Sequence, residues 1–182
     1  GVLAEAGSAV TLVTRNAAHV AAINRDGLRL VEEGRERKVT IRAAADCSTL
    51  APMDLVVVLV KSFHTRQAIE SARSIVGPDT VVLSLQNGLG HEDVLAEAIG
   101  RGHVMAGKTY VGGVVLGPGR ILVGTAGKET LIGELDGSIS ARARAIQDEF
   151  RRAGLQVTVS ENIIGTMWDK LLVNVSTGAL SG

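Results

Sequence analysis

The chain has 182 residues, of which 46% are hydrophobic and 21% are charged, so it can bury a core. This length fits one domain, or one domain with the start of a second. Lysine plus arginine and aspartate plus glutamate both number 19, and aromatic residues make up 2%. A neutral chain with few aromatic residues argues against a nucleic acid or an anionic membrane as partner. The longest aliphatic run, residues 55–60, is too short to cross a bilayer.

Cysteine and histidine usage indicates a cytoplasmic protein without a metal site. Cys47 is the single cysteine, and we expect it to be a small buried residue in a reducing compartment. The four histidines lie far apart without metal-ligand spacing, and we expect them at surface or loop positions. Residues 1–10 lack the basic start and apolar stretch of a signal peptide.

The first 41 residues predict a helix, a strand, a second helix and a hairpin. In order, these are the end of a helix over 1–6, a strand over 9–14, a helix from Asn16 to Ile23, and a hairpin over 28–41. Two aliphatic runs follow, residues 54–61 and 80–85. Continuous runs of this kind are typical of parallel strands that are buried on both faces.

Helical patterns follow both aliphatic runs, over 63–76 and from the loop QNGLG to Ile99. The remaining predicted elements are short glycine-rich strands over 103–135 with a turn at 117–119, a helix over 138–153, a strand over 156–159, and a long helix from Asn162. Alternating strands and helices predict the α/β class with a doubly wound sheet of Rossmann type. We assign residues 1–161 to this domain and residues 162–182 to the first helix of an all-α C-terminal domain.

The glycine-rich turn that opens a Rossmann domain is missing from the pattern. None of the 22 glycines belongs to a GxGxxG motif between a strand and a helix. The predicted elements instead begin inside the helix that follows such a turn. In a sheet without its first, central strand, the backbone N–H and C=O groups of the neighbouring strands are left unpaired. We therefore expect the native polypeptide to have residues before Gly1.

Arg15 follows the strand over 9–14, at the position where a Rossmann domain contacts the ribose 2′ group of its dinucleotide. An acidic residue there indicates NAD, whereas arginine meets the 2′-phosphate of NADP with charge-assisted hydrogen bonds. The alternative is a solvated arginine at a strand end. The order of the surrounding elements favours an NADP-binding role.

Lys61 and Asn87 each follow a predicted buried strand, so both emerge at the carboxyl edge of the sheet, where ligands of open α/β sheets bind. The alternatives are a lysine that marks where the strand reaches water, and an ordinary Asn-Gly turn.

The segment TMWDKLLVNVSTGAL carries a candidate substrate site. Its apolar residues cover most directions of a helix, so the helix is expected to be largely buried. Lys170 and Asn174 lie one turn apart, and buried polar groups need partners, for which a carbonyl substrate is suitable. The alternative is a solvated stripe that also includes Asp169.

These segments together resemble the ketopantoate reductase family, the 2-dehydropantoate 2-reductases. The similar stretches, in order, are LAEAGSAVTLVTR at 3–15, VLVKS at 58–62, LQNGLG at 85–90, AGKTYVGG at 106–113 and WDKLLVN at 168–174. The resemblance covers about 180 residues. It departs at Gly178, where the family often has another asparagine, and the family's helical domain supplies a serine and a glutamate from beyond Gly182.

The resemblance implies NADPH-dependent reduction of a 2-keto acid to a 2-hydroxy acid, with 2-dehydropantoate as the first candidate substrate. It implies roles for six residues: NADP contacts from Arg15, Lys61, Asn87 and Gly113, substrate contacts from Asn87, Lys170 and Asn174, and catalysis by Lys170. The sequence leaves a homodimer open as a further partner. Two alternatives also remain open, an opine-type dehydrogenase of the same architecture and a non-catalytic NADP-binding sensor.

Overall fold

The described residues of this computed structural model, 1–124 and 127–180 with the backbone alone for 173–180, form eleven strands and six α-helices. The strands are β1 (Thr11–Val13), β2 (Leu28–Glu32), β3 (Arg35–Val39), β4 (Arg42–Ala44), β5 (Leu55–Val58), β6 (Val81–Ser84), β7 (Val104–Thr109), β8 (Gly112–Gly117), β9 (Arg120–Gly124), β10 (Glu129–Glu134) and β11 (Gln156–Val159). The helices are α1 (Val2–Glu5), α2 (Ala17–Asp26), α3 (Thr65–Ser71), α4 (His91–Ile99), α5 (Ala141–Arg152) and α6 (Ile163–Leu180). Short 3₁₀ turns occupy Ser62–His64, Arg73–Ile75 and Arg101–His103.

The main sheet has five strands in the order β11-β10-β7-β6-β5. Strands β5, β6 and β7 are parallel, β10 runs antiparallel to β7, and β11 is parallel to β10. Helices α3 and α4 contact each other, and α5 packs against β10 and β11. Strand β6 is buried along its whole length, as its aliphatic sequence predicts. The predicted Rossmann-type α/β architecture is confirmed.

A second, two-stranded sheet pairs β1 with β4 in parallel. The helix between them, α2, begins at Asn16, whose side chain accepts from the backbone N–H of His19 at 3.0 Å, as predicted for a cap. The Asn24 side chain bonds both the N–H and the carbonyl of Ala43, at 2.9 and 2.8 Å, and thereby fixes α2 against β4.

The predicted hairpin over 28–41 is β2 and β3, and it belongs to a larger sheet that the sequence pattern did not predict. Strand β2 pairs in parallel with β9, and β9 pairs with β8 across the predicted turn at 117–119, which gives the order β3-β2-β9-β8. His19 of α2 accepts the backbone N–H of Gly119 at 3.0 Å, so the glycine turn also lies against α2.

Two predictions of burial are wrong. The strand predicted over 54–61 ends at Val58, and Leu59 and Val60 are 66% and 38% exposed. Helix α6 was expected to be largely buried, but Trp168 and Leu172 are 51% and 61% exposed. An aliphatic run shows that a segment is apolar, but it does not show which other residues pack against that segment. The α6 residues that pack on the sheet are Ile163 and Met167, which are four positions apart and share one face.

The histidine prediction is also wrong in part, because His19 and His91 are buried and hydrogen-bonded. Cys47 is buried as expected, and burial together with the nearby charge of Asp46 raises the pKa of its thiol. Across the described residues, the helices lack the length and apolar character that a membrane span requires.

Candidate active site

The carboxyl ends of β5, β6 and β7 lie along one edge of the main sheet, because these strands are parallel neighbours. Lys61 follows β5, Asn87 follows β6, and β7 ends at Thr109. This edge is where open α/β sheets bind their ligands.

Gln86 ties two of these strand ends together. Its buried side chain donates from Nε2 to the carbonyl of Val60 and to Oγ1 of Thr65, both at 2.8 Å, and accepts from Oγ of Ser84 at 3.3 Å. The loop after β6 is therefore anchored to the turn after β5. Gln86 was not among the predicted site residues, although its place beside Asn87 at a strand end is the signal that would have identified it.

The backbone of Asn87 is held from the following helix. The ring Nε2 of buried His91 lies 2.9 Å from the Asn87 carbonyl oxygen, which can only accept, so this ring nitrogen carries the proton. The exposed side-chain amide of Asn87 is left to face the sheet edge.

Lys170 and Asn87, 83 residues apart in sequence, meet at this edge. Nζ of Lys170 donates to Oδ1 of Asn87 at 2.9 Å and to the carbonyl oxygen of Thr109 at 2.7 Å, and lies 4.9 Å from the centroid of the Tyr110 ring. The lysine is half-buried. Helix α6 therefore brings an ammonium to the carboxyl ends of β6 and β7.

A second lysine, Lys108 of β7, lies beside the first. Its Nζ donates to the Thr166 carbonyl at 3.2 Å and lies 5.5 Å from the Tyr110 ring centroid. Burial lowers the pKa of Lys170, and the positive charge of Lys108 lowers it further. Lys108 was not among the predicted site residues either. Its position as a single charge within the otherwise uncharged stretch VMAGKTYVGG is the signal that would have identified it.

These groups line one small pocket between β7, the loop after β6, and α6. Its lining residues are Gln86, Asn87, Gly88, Gly107, Lys108, Met167, Lys170 and Leu171. Two ammonium groups and the Asn87 amide supply hydrogen bonds, and Met167 and Leu171 supply an apolar wall. The positive charge of this pocket favours a negatively charged oxygen group.

Arg15 follows β1 and is exposed. Its guanidinium donates to Oε1 of Gln67 at 2.9 Å and lies 3.3 Å from Nε2 of His64, both from the segment after β5. His64 and Gln67 were not predicted, since only the folded chain brings them to β1. An arginine has five N–H donors, so this one keeps donors for a phosphate.

Two other predicted site residues, Lys61 and Gly113, are not brought to the Lys170 pocket. Lys61 is exposed after β5. Gly113 lies in β8 of the four-stranded sheet, where an added Cβ would lie 3.2 Å from the Leu122 carbonyl oxygen. Asn174 lies on the α6 backbone, and its side chain falls outside the described residues. Among the described residues, no cluster of His, Cys, Asp or Glu is suited to hold a metal ion.

The sheet and its polar carboxyl edge define a protein of the nucleotide-binding Rossmann class. Residues 1–137 match the family model described as "Ketopantoate reductase PanE/ApbA". The 2-dehydropantoate 2-reductase of Halobacterium salinarum is 38% identical over 181 residues, which are 98% of this chain and 59% of that protein. That of Pyrococcus horikoshii is 39% identical over 175 residues, 96% of this chain and 56% of that protein. The chain belongs to the ketopantoate reductase family, and it spans less than two thirds of these relatives.

Solved structures show the same fold. A PanE/ApbA family ketopantoate reductase from Ralstonia eutropha JMP134 is 33% identical with a TM-score of 0.85, over 96% of this chain and 56% of that one. The ternary structure of D-mandelate dehydrogenase with NADH and anilino(oxo)acetate is 25% identical with a TM-score of 0.88, over 95% of this chain and 56% of that one.

Proposed function

We propose that this chain supplies the cofactor domain and a catalytic lysine to an NADPH-dependent reductase that converts a 2-keto acid into a 2-hydroxy acid. In this proposal residues 1–161 form the NADP-binding domain and residues 162–182 begin a helical domain, in a cytoplasmic enzyme. The observation that carries the proposal is the position of Lys170, whose Nζ is held by Asn87 and Thr109 at the carboxyl edge of the sheet.

The proposed substrate is 2-dehydropantoate, because the curated relatives described above carry that name. The wider class of 2-keto acids has separate support from D-mandelate dehydrogenase, whose ternary structure holds NADH and anilino(oxo)acetate, an acetate with an oxo group next to its carboxylate. Asn174 lies one helical turn after Lys170 and is proposed as a further substrate ligand.

The proposed cofactor is NADP, and the chain's residues fit it. The exposed guanidinium of Arg15 at the end of β1 suits the 2′-phosphate, which NAD lacks. Lys61 and Asn87 lie at the ends of the next strands along this edge and would hold other parts of the dinucleotide, with Gly113 as a further contact. When bound, the reduced nicotinamide supplies the hydride.

Lys170 stabilises the charge that grows on the ketone oxygen during reduction. Its ammonium has three N–H donors, of which Asn87 and Thr109 take two, so one remains to donate to that oxygen. The two protein acceptors fix the orientation of the ammonium before the substrate binds, which is the condition for efficient electrostatic stabilisation. The same group can deliver the proton that completes the hydroxyl.

The test is NADPH oxidation by the full-length protein with a panel of 2-keto acids that includes 2-dehydropantoate, with NADH in parallel. We expect turnover with at least one 2-keto acid in the absence of amines, and a preference for NADPH. Turnover only with an added amine would instead support the opine-type dehydrogenase, and cofactor binding without turnover would support the sensor.

A further inference from the structure

Lys108 places a second ammonium group in the Lys170 pocket. Both side chains line the pocket, and their Nζ atoms lie 5.5 and 4.9 Å from the centroid of the same Tyr110 ring. Like charges at such a site repel each other, and the charge of Lys108 adds to the larger effect of burial in lowering the pKa of Lys170. An anion bound between the two groups would remove this repulsion.

The hydrogen-bond inventory of Lys108 leaves room for such an anion. Its ammonium has three donors, and the Thr166 carbonyl takes one of them at 3.2 Å. No carboxylate pairs with Lys108 among the described residues. The half-buried group therefore keeps unused donors on the wall of the pocket.

We propose that Lys108 binds the carboxylate of the 2-keto acid while Lys170 holds its ketone oxygen. This inference rests on the proposed function and adds the residue that selects for an acid. A 2-keto acid carries its two oxygen-bearing groups on adjacent carbons, so two neighbouring ammonium groups can engage one each. Arg15 does not compete for this role, because it lies beside His64 and Gln67 and outside the pocket lining.

The competing role for Lys108 is structural. Its bond to Thr166 joins β7 to the first turn of α6 and would brace the helix that carries Lys170. A brace affects every substrate equally, whereas a carboxylate ligand affects only substrates that carry the negative charge. The two roles therefore differ in substrate selectivity.

The experiment compares a 2-keto acid with its neutral 2-keto amide as substrates of the full-length enzyme with NADPH. In Lys108→Gln, we expect KM for the acid to rise roughly 10- to 100-fold, the scale of a lost charge-assisted hydrogen bond. The kcat/KM for the amide should change less than about threefold. Lys108→Arg should restore most of the preference for the acid, and Arg35→Gln, which removes an exposed charge at the β2–β3 hairpin, should behave as the wild type.

The possible outcomes distinguish a failure of the proposed role of Lys108 from a failure of the proposed reductase function. A wild-type enzyme that reduces 2-keto acids, with a Lys108→Gln variant that keeps the full preference for the acid, overturns the role of Lys108 alone. Equal losses for acid and amide, together with a lower Tm, also overturn it and identify a brace. A wild-type enzyme that reduces no 2-keto acid overturns both proposals.

Discussion

The charge on Lys170 is sensitive to pH within its pocket. Its pKa lies below the ordinary lysine value because of burial and then the charge of Lys108. In the proposed reaction only the protonated form can donate to the ketone oxygen, so kcat/KM should fall as the pH rises through this lowered pKa. The alkaline limb of the kcat/KM profile is therefore expected below the pH at which an exposed lysine titrates.

Removing the neighbouring charge should move this limb. In Lys108→Gln the repulsion is absent, so the pKa of Lys170 rises and the limb shifts to higher pH. The measurement is kcat/KM for the 2-keto acid against pH, which reports the free enzyme, with Arg35→Gln as the control that leaves the pocket unchanged. A limb at the same pH in Lys108→Gln and the wild type would contradict the coupling of the two lysines.

In the proposed function Arg15, whose guanidinium is exposed at the end of β1, determines cofactor choice. Arg15→Gln should weaken NADPH binding roughly 10-fold or more and leave NADH binding nearly unchanged, because only NADPH carries the 2′-phosphate. Direct titration of both cofactors measures this. Arg25→Gln removes an exposed arginine that pairs with Asp26 on α2 and is the matched control. Equal losses for the two cofactors would remove Arg15 from 2′-phosphate recognition.

Individual site residues were predictable where a local pattern marked them. Asn87 follows an aliphatic strand, and Lys170 interrupts an apolar helix, so both were predicted from a few neighbouring residues. Lys108 and His64 were not, because Lys108 lies within a strand instead of after one, and His64 reaches Arg15 only in the folded chain. Position at a strand end or in an apolar helix, rather than chemical type, separates the two groups.

At the scale of elements, α6 is positioned by its close approach to β10. A Cβ added to Gly133 would lie 2.7 Å from the Ser160 carbonyl oxygen and 2.9 Å from Cβ of Ile163, neither of which can swing away as a flexible side-chain end does. Gly133→Ala should therefore destabilise the protein by about 1–3 kcal/mol, the usual range for overpacking. It should also lower kcat, because Ile163 begins the helix that carries Lys170.

The matched control for this substitution is Gly112→Ala. Gly112 is also a strand glycine, but an added Cβ there would have open space around it. Denaturant unfolding of both variants gives the free energies to compare. Equal stability of Gly133→Ala and Gly112→Ala would contradict the tight contact between β10 and the start of α6.

Helix ends could be predicted from the sequence better than strand pairing, because caps are local and strand pairing is not. Helix caps act within one turn, so the start of α2 at Asn16 could be predicted from the sequence. The pairing of β2 with β9 joins residues about 90 positions apart, for example Arg29 with Arg120, and no local pattern encodes it. The strand over 54–61 was predicted too long, since aliphatic character alone does not show that Leu59 is left uncovered.

At the scale of the whole molecule, the described strands form separate sheets whose edges differ in protection. Strands β6 and β7 pair on both sides and are largely buried, whereas β3 and β8 are the outer strands of the four-stranded sheet. Amide hydrogen exchange in the full-length protein should therefore be slow in β6 and β7 and faster in β3 and β8. Exchange in β8 as slow as in β6 would contradict this difference between inner and outer strands.

The central claim is that Lys170 stabilises the developing charge on the ketone oxygen, and Lys170→Ala in the full-length enzyme tests it most directly. On one preparation, kcat for the 2-keto acid, Kd for NADPH and Tm should be measured together, with Arg25→Ala as the control. We predict that kcat falls roughly 10²-fold or more, the scale of a lost charge-stabilising or acid–base group, while Kd and Tm change little. An unchanged kcat, or a lower Tm with kcat retained in the folded fraction, would contradict the account.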